Sequence, residues 1–459
     1  MSNSIQENIF KAYDIRGIVA DELTEEIVIL IGQSIGSEAI DQNQTSVCVG
    51  YDGRLSSPDL CNALIKGLLS TGIDVINIGL VTTPMLYFST YELKTNTGIM
   101  ITGSHNPPEY NGFKIVINAK PLTSKQIQGI YKRIIEENYS KGNGSLTCKK
   151  IQSQYLAKIY EGINLKRPMK ITIDCGNGAA GVCAKDLFKG LNLDVETLFD
   201  DVDGHFPNHH PDPSNPSNLI DLQKNLATTE SEIGLAFDGD ADRLGVVTKS
   251  GEIIYPDRQL LLFSEWILKE NPGATIIFDV KSTRHLFKWI RDKGGVPLIW
   301  KTGHSLIKEK MKETNAILGG EMSGHTFFCD KWYGFDDGLY AGARLLEILS
   351  HFDNPSLVLE ALPKGFSTPE LNIKLTEGEQ HTLIRSMQEN AIFPKALETI
   401  KIDGLRVEYK NGFGLMRASN TTPVIVLRFE ANTSDDLRII QDEFRSVLEI
   451  HVGKDKIPF

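Results

Sequence analysis

The sequence has little cysteine, no excess of positive charge and no long apolar run. Its six cysteines, at 48, 61, 148, 175, 183 and 329, form no CxxC pair, and neither His304 nor His325 has a partner at metal spacing, which argues against zinc at those loops. Reduced core thiols of a cytoplasmic protein are the expected state. No stretch of about 18 uncharged apolar residues exists, which excludes a helical membrane span. The opening residues MSNSIQENIFKAYDIRG carry charge early and no apolar core, so no secretory leader is expected. Lys and Arg total 48 against 59 Asp and Glu, a formal charge of -11. This balance argues against nucleic acid or acidic membrane as partners. Anionic small molecules stay open, because a phosphate responds to its local field, and local clusters of Arg, Lys and backbone N–H groups would have to supply it.

What is present is an ordinary globular composition, 41% hydrophobic and 23% charged over 459 residues. At about 100 to 200 residues per domain, the length predicts three or four domains. Val47–Gly50 reads as a buried strand, and Ser57-Pro58 opens a helix with Leu60, Leu64 and Leu68 on one stripe. Strands follow at Val75–Ile78 and Gly98–Ile101, the latter running into a polar loop at Thr102. The same rhythm recurs at Met169–Ile173 and Ile233–Phe237, separated by a Pro- and His-rich loop at 206–213, and again at Thr275–Phe278 and Ala316–Gly319, with a helical segment at Ser282–Ile290. Apolar strand, polar strand end, glycine, helix is the plan of α/β sheets that bind ligands beyond their strand ends. Three mixed-sheet α/β domains are therefore predicted at 1–150, 151–254 and 255–366. From 367 to 459 the pattern changes to strands at Leu405–Tyr409 and Pro423–Phe429, with Ser434 capping a closing helix that turns Leu437, Ile440, Phe444 and Val447 inward. That block reads as a smaller α+β domain, joined through a Pro363-Lys364-Gly365 hinge.

The strongest local signal is Asp238-Gly-Asp240-Ala-Asp242-Arg243. Alternating acids on an irregular loop can turn three carboxylates to one point, and hard oxygens in that arrangement suit Mg²⁺. The glycine and glutamate spacing of an EF-hand is missing, and a merely solvated acidic turn sits badly after the apolar Ile233–Phe237. Thr102-Gly-Ser104-His105-Asn-Pro places a hydroxyl at a strand end, either a phosphate carrier or a loop hydrogen bonder. Lys114 is either a surface lysine or an acid–base group whose pKa neighbouring cations lower. Glu321 and Ser323 are placed to receive sugar hydroxyls, and His325 either acts chemically or holds the loop. Arg417-Ala-Ser419-Asn420-Thr421-Thr-Pro is a compact anion nest of arginine, hydroxyls and amide, or else a turn held by its own Ser and Asn. Arg16 and Arg258 add positive charge.

Together these residues resemble the α-D-phosphohexomutases, in the bacterial phosphomannomutase/phosphoglucomutase group. The likeness runs through YDIRG (13–17), TGSHNP (102–107), YNGFK (110–114), FPNHHPDP (206–213), DGDADR (238–243), KTGH (301–304), GEMSGH (320–325) and RASNTTP (417–423). The resemblance implies a heart-shaped, four-domain enzyme around a central cleft. It implies that Ser104 carries a phosphoryl group and that Asp238, Asp240 and Asp242 bind Mg²⁺ with a phosphoserine oxygen. It assigns Lys114 and His304 to acid–base work, with Arg243 and His105 beside the transferring group. Substrate binding falls to Arg16, Lys281, Glu321, Ser323 and His325, and the idle phosphate to Arg417, Ser419, Asn420 and Thr421.

The implied reaction interconverts hexose 1- and 6-phosphates through a hexose 1,6-bisphosphate, which also acts as activator. The chain would work as a monomer or weak homodimer. GEMSGH with RASNT resembles enzymes of glucose and mannose phosphates, whereas N-acetylhexosamine phosphate mutases differ at both loops. A phosphoglucosamine mutase is the alternative enzyme. A sugar-phosphate-binding module without catalysis is the other alternative, and it would leave Ser104 and the three aspartates unexplained. Cys329-Asp330 lacks the basic character common at that point of the family, a departure that bears on specificity or regulation.

Overall fold

The alternating apolar runs fold into four sheets in the computed structural model, which describes residues 5–376, 378–420 and 422–459. The chain divides into two compact units. The first runs to Pro256 and includes Ser323–Ala361, and the second comprises Asp257–Met322 with Leu362–Phe459. Among the described residues no helix is long and apolar enough to cross a membrane.

In the first unit, one sheet runs in the order Ile15–Ile18, Tyr110–Ile117, Gly98–Ile101, Ser46–Tyr51, Asp74–Leu80, Leu146–Cys148. Its centre is parallel, while Tyr110–Ile117 pairs antiparallel with both neighbours. Ser46–Tyr51 and Gly98–Ile101 are buried on both faces, which explains their unbroken apolar sequences. The helix Ser57–Leu69 buries Leu60, Leu64 and Leu68 as predicted, in a core shared with the helix Glu25–Asp41. The second sheet runs Ile253–Ile254, Leu244–Thr248, Ile233–Phe237, Lys170–Asp174, Asp194–Leu198. Here Ile233–Phe237 and Leu244–Thr248 form an antiparallel pair in which Phe237 faces Leu244, so the acidic motif is the connection of a hairpin. The helix Gly338–Leu349 is buried along its length against this sheet, and the Asp337 side chain caps it by accepting from the Tyr340 N–H at 2.9 Å.

In the second unit, Val296–Trp300, Thr275–Asp279 and Leu318–Gly320 are parallel neighbours, and Asp279 lies opposite Trp300 at their common C-terminal end. The last sheet is antiparallel, in the order Phe366–Ser367, Val424–Ala431, Gly412–Ala418, Leu405–Tyr409, Glu398–Ile400, with Leu371–Lys374 also on Val424–Ala431. The helices Glu379–Asn390 and Ser434–Leu448 close its apolar face.

Several local boundaries differ from expectation. The helix predicted from Ser282 starts at His285, because the Ser282 and Thr283 side chains are taken by Asp279 and Glu430. The strand expected at Ala316 starts at Leu318. The closing helix is capped by Thr433, whose Oγ1 accepts the Asp436 N–H at 3.1 Å, and not by Ser434. Its inward stripe is Ile440, Phe444 and Leu448, with Leu437 and Val447 only half-buried. Of the cysteines, 48, 61, 175 and 183 are buried thiols, while Cys148 and Cys329 are exposed.

Candidate active site

The strand Gly98–Ile101 delivers Ser104 into a buried turn with left-handed backbone, φ +49°. A non-glycine residue holds that conformation only where its surroundings over-determine it. The Ser104 N–H donates to Thr102 Oγ1 at 2.7 Å, and its hydroxyl donates to Asp238 Oδ2 at 3.0 Å. His105 Nδ1 lies 3.1 Å from the same hydroxyl. Across from it, Ala241 at φ +63° kinks the hairpin connection so that Asp238, Asp240 and Asp242 converge. All three are fully buried, and each offers an oxygen within 4.8 Å of the others. The two loops touch at Gly239, where a Cβ would fall 2.3 Å from the Ser104 carbonyl oxygen.

The strand Tyr110–Ile117 carries Lys114 into this cluster, where its Nζ donates to Asp240 Oδ2 at 2.6 Å and Asp242 Oδ2 at 2.5 Å. Thr83 Oγ1 donates to Asp240 Oδ2 at 2.5 Å, and the Arg243 N–H donates to Asp238 Oδ1 at 3.2 Å. Burial disfavours the charged lysine, but Asp240 and Asp242 outweigh it and hold Lys114 well above its ordinary pKa. Burial, then Asp242 and Asp240, push Asp238 well above the usual carboxylate range. Asp242 goes the other way: burial opposes its ionisation, but Lys114 and His325 hold it well below. Asp240 Oδ1 is buried without a hydrogen-bond partner among the described residues. Three close carboxylates, one raised in pKa by its acidic neighbours and one with an orphaned oxygen, fit a divalent cation.

Around this centre, Arg16 on Ile15–Ile18 donates to Asn106 Oδ1 at 2.7 Å and Asp14 Oδ2 at 2.6 Å. Burial, then the Arg243 and Arg16 charges, hold His105 well below its ordinary pKa, so its imidazole is neutral. His325 Nε2 lies 3.2 Å from Asp242 Oδ1 and 3.3 Å from Arg243 Nε, while its Nδ1 is 3.1 Å from Ser323 Oγ. Asp242, His325 and Asp336 form a second group close enough to hold a metal. Asp330 turns away from chemistry, accepting both Nη groups of the buried Arg344 at 3.1 and 2.8 Å.

The second unit gathers the other predicted residues. Lys281 pairs with Glu370 at 2.6 Å. Glu321 Oε1 accepts the Gly303 N–H at 2.6 Å, just before the helix His304–Thr314 that His304 begins. Asp279 accepts Ser282 Oγ, Thr302 Oγ1 and the Met322 N–H, tying both sugar-type loops to one strand end. Asp403 accepts the Thr302 N–H at 3.0 Å and Arg417 Nε at 2.9 Å, so the arginine of the anion nest is anchored to the same framework. Ser419 Oγ lies 3.0 Å from Thr422 Oγ1 and accepts the Thr422 N–H at 3.3 Å. Asn420 follows Ser419, and Thr421 lies outside the described residues. Arg258 is structural, donating to the Leu362 carbonyl at 3.2 Å. Sequence reasoning missed Arg54, Thr83, Asp336, Glu370 and Asp403. Their partners lie far along the chain, and only the Asp-Gly-Arg at a strand end was a usable signal.

Models of the phosphoglucomutase/phosphomannomutase α/β/α domains I, II and III match residues 7–141, 153–251 and 255–366, and the C-terminal domain model matches 370–447. A phosphoglucomutase of Neisseria meningitidis is 55% identical over 97% of this chain and 98% of its own. A phosphomannomutase/phosphoglucomutase of Pseudomonas aeruginosa is 50% identical over 99% and 98%. The crystal structure of a phosphoglucomutase/phosphomannomutase family protein from Burkholderia thailandensis superposes with a TM-score of 0.95 at 52% identity, covering 99% of this chain and 100% of that one. With three α/β domains and a smaller C-terminal one, the chain belongs to the phosphoglucomutase/phosphomannomutase family of α-D-phosphohexomutases.

Proposed function

We propose that the protein interconverts hexose 1-phosphates and hexose 6-phosphates, acting on both mannose and glucose phosphates, with Ser104 as the phosphoryl carrier. The observation that carries this reading is the Ser104 hydroxyl, 3.0 Å from Asp238 in a buried cluster with Asp240, Asp242 and Lys114. Phospho-Ser104 gives its phosphoryl group to the free O1 or O6 of the bound sugar phosphate. The Oγ–P bond breaks, a sugar O–P bond forms, and the hydroxyl proton passes to a base, for which His304 and His325 are the candidates. The 1,6-bisphosphate then turns end for end and returns its other phosphoryl group to Ser104.

Each part of the site has a task in that cycle. Asp238, Asp240 and Asp242 would hold Mg²⁺ together with an oxygen of the phosphorylated serine, and the ion would supply charge stabilisation to the transferring group. Lys114 and Arg243 neutralise the equatorial oxygens as the bond loosens. Lys114 or His304 is the acid–base partner that gives a proton to Ser104 Oγ as the Oγ–P bond breaks. Neutral His105 accepts from or donates to Ser104 Oγ without adding a competing charge. Arg16 faces the same loop. Glu321 and Ser323 receive sugar hydroxyls, and Arg417 with Ser419, Asn420 and Thr421 holds the phosphate that is not reacting.

The test is direct. Purified protein mixed with Mg²⁺ and glucose 1,6-bisphosphate should gain the mass of one phosphoryl group, and should then convert mannose 1-phosphate and glucose 1-phosphate to the 6-phosphates. A dominant rate on glucosamine 1-phosphate would replace the substrate assignment. Failure to take up the phosphoryl group would remove the mechanism.

A further inference from the structure

Arg54 lies outside every motif discussed so far, yet it is only 2% exposed and sits directly behind the Ser104 turn. Its Nη2 donates to the carbonyls of Ser104 at 2.8 Å and Asn106 at 2.6 Å, and its Nη1 to those of Pro107 at 2.6 Å and Tyr110 at 2.9 Å. The remaining carbonyl of the turn, that of His105, is bonded by His210 Nε2, so that nitrogen carries the proton. The carbonyls of residues 104 to 107 are thus all claimed by two side chains from other parts of the chain.

Both side chains are themselves held. Arg54 Nε lies 3.4 Å from Asp52 Oδ2, and Asp52 also accepts the N–H groups of Arg54 and Gly103 and the hydroxyl of Ser57. A Cβ on Gly103 would fall 2.3 Å from the Arg54 guanidinium carbon, so Gly103 leaves the space the guanidinium fills. His210 follows His209, whose Nε2 is 3.0 Å from Asp174 Oδ2 at the end of the strand Lys170–Asp174.

We infer that Arg54 and His210 are positioning residues for phosphoryl transfer, which hold the backbone of residues 104 to 110 in the one conformation that aims Ser104 Oγ at the aspartate cluster. Two physical reasons support this. The left-handed backbone at Ser104 needs outside bonds to persist, and among the described residues Arg54 alone gives this turn four. A phosphoserine also carries about two negative charges, so carbonyl oxygens facing it would repel it. Binding those carbonyls from behind keeps their negative ends turned away. Neither residue hydrogen-bonds Lys114 or the three carboxylates, and the attraction of the Arg54 charge to Asp240 is one that a lysine at 54 retains, so the comparison with Arg54→Lys reads geometry. The inference rests on the reading of Ser104 as phosphoryl carrier.

The experiment compares full-length wild type with Arg54→Lys, His210→Ala and His210→Gln. Arg54→Lys keeps the charge beside Asp52 but cannot span four carbonyls. His210→Gln keeps an N–H donor of similar reach, and His210→Ala removes it. Measured are kcat and KM for glucose 1-phosphate, the rate of Ser104 phosphorylation by glucose 1,6-bisphosphate from intact mass, and the thermal midpoint. Because a misplacement of about 1 Å can cost about 100-fold, Arg54→Lys should lower kcat and the phosphorylation rate by about 30-fold or more, with KM changed less than about three-fold. His210→Ala should lower both rates by about ten-fold, and His210→Gln should recover most of that loss. A folded Arg54→Lys enzyme with wild-type kcat, or a loss confined to KM, overturns the inference. So does a His210→Gln variant no better than His210→Ala, and this pair decides the matter if Arg54→Lys does not fold. A wild-type protein that takes up no phosphoryl group overturns both this inference and the mutase reading, whereas an active wild type with unaffected variants overturns this one alone.

Discussion

The proposed function gives phosphate chemistry to both the turn at Ser104 and the loop that starts at Arg417, and they are built differently. Around Ser104 the backbone is pinned from behind by side chains distant in sequence, the buried Arg54 and the half-buried His210. In the loop from Arg417, Ser419 N–H donates to the Val424 carbonyl at 3.0 Å, the Ser419 and Thr422 hydroxyls meet at 3.0 Å, and Arg417 Nε donates to Asp403 at 2.9 Å. A covalent carrier needs one geometry, since the transferring group must meet the carboxylates and Lys114 each time. A loop that grips the idle phosphate must accept a sugar in either orientation, which suits several short hydroxyl side chains beside an arginine fork. Precision in transfer thus goes with long-range pinning, and tolerance in binding with local bonds.

Mutation can break that contrast. Ser104→Ala should cut kcat by about 10³-fold or more and abolish phosphoryl uptake, as removal of a covalent nucleophile does. Intact mass and steady-state rates would check it, and retained turnover would end the carrier assignment. Asp242→Asn comes next. It removes one of three converging carboxylates and the partner of Lys114 and His325, so kcat should fall by about 100-fold or more and the Mg²⁺ needed for half-activity should rise. A metal titration of wild type and variant shows whether the two changes travel together.

Arg417→Ala tests the other side. Loss of a charged hydrogen-bond donor to phosphate should raise KM by about 10- to 100-fold while kcat changes little. If kcat falls as far as kcat/KM, the loop acts in the transition state and the contrast collapses. Ser419→Ala should be mildest, raising KM about five-fold, the size expected for one neutral hydrogen bond. An effect on kcat equal to that of Asp242→Asn would place this loop in the pinned class too.

Much of the fold was legible because its strands are short apolar runs ending in polar residues. Val47–Gly50, Gly98–Ile101, Ile233–Phe237 and Thr275–Asp279 all lie within observed strands. The Leu60, Leu64 and Leu68 stripe is buried for the same reason, since a 3.6-residue period survives any tertiary context that covers one face. Boundaries were less legible. Ser434 and Thr433 are both good caps, and the chain's path after the strand ending at Ala431 selects the threonine. Ser282 looked like a helix start until Asp279 claimed its hydroxyl. That Lys114 meets two of the aspartates was not legible either, because the strand pairing that carries it there is a long-range fact.

The order of the motifs by itself determined the family, the number of domains and which residue types stand at strand ends. These follow from local periodicity and from residues whose chemistry is written in their side chains. Only the tertiary structure decided how those residues are charged and held. It placed Asp238 and Asp242 on opposite sides of their ordinary pKa, put Lys114 between carboxylates, and brought Arg54 behind Ser104. Charge state and backbone pinning depend on neighbours dozens of residues away, so distance in space, which no local pattern encodes, determines them.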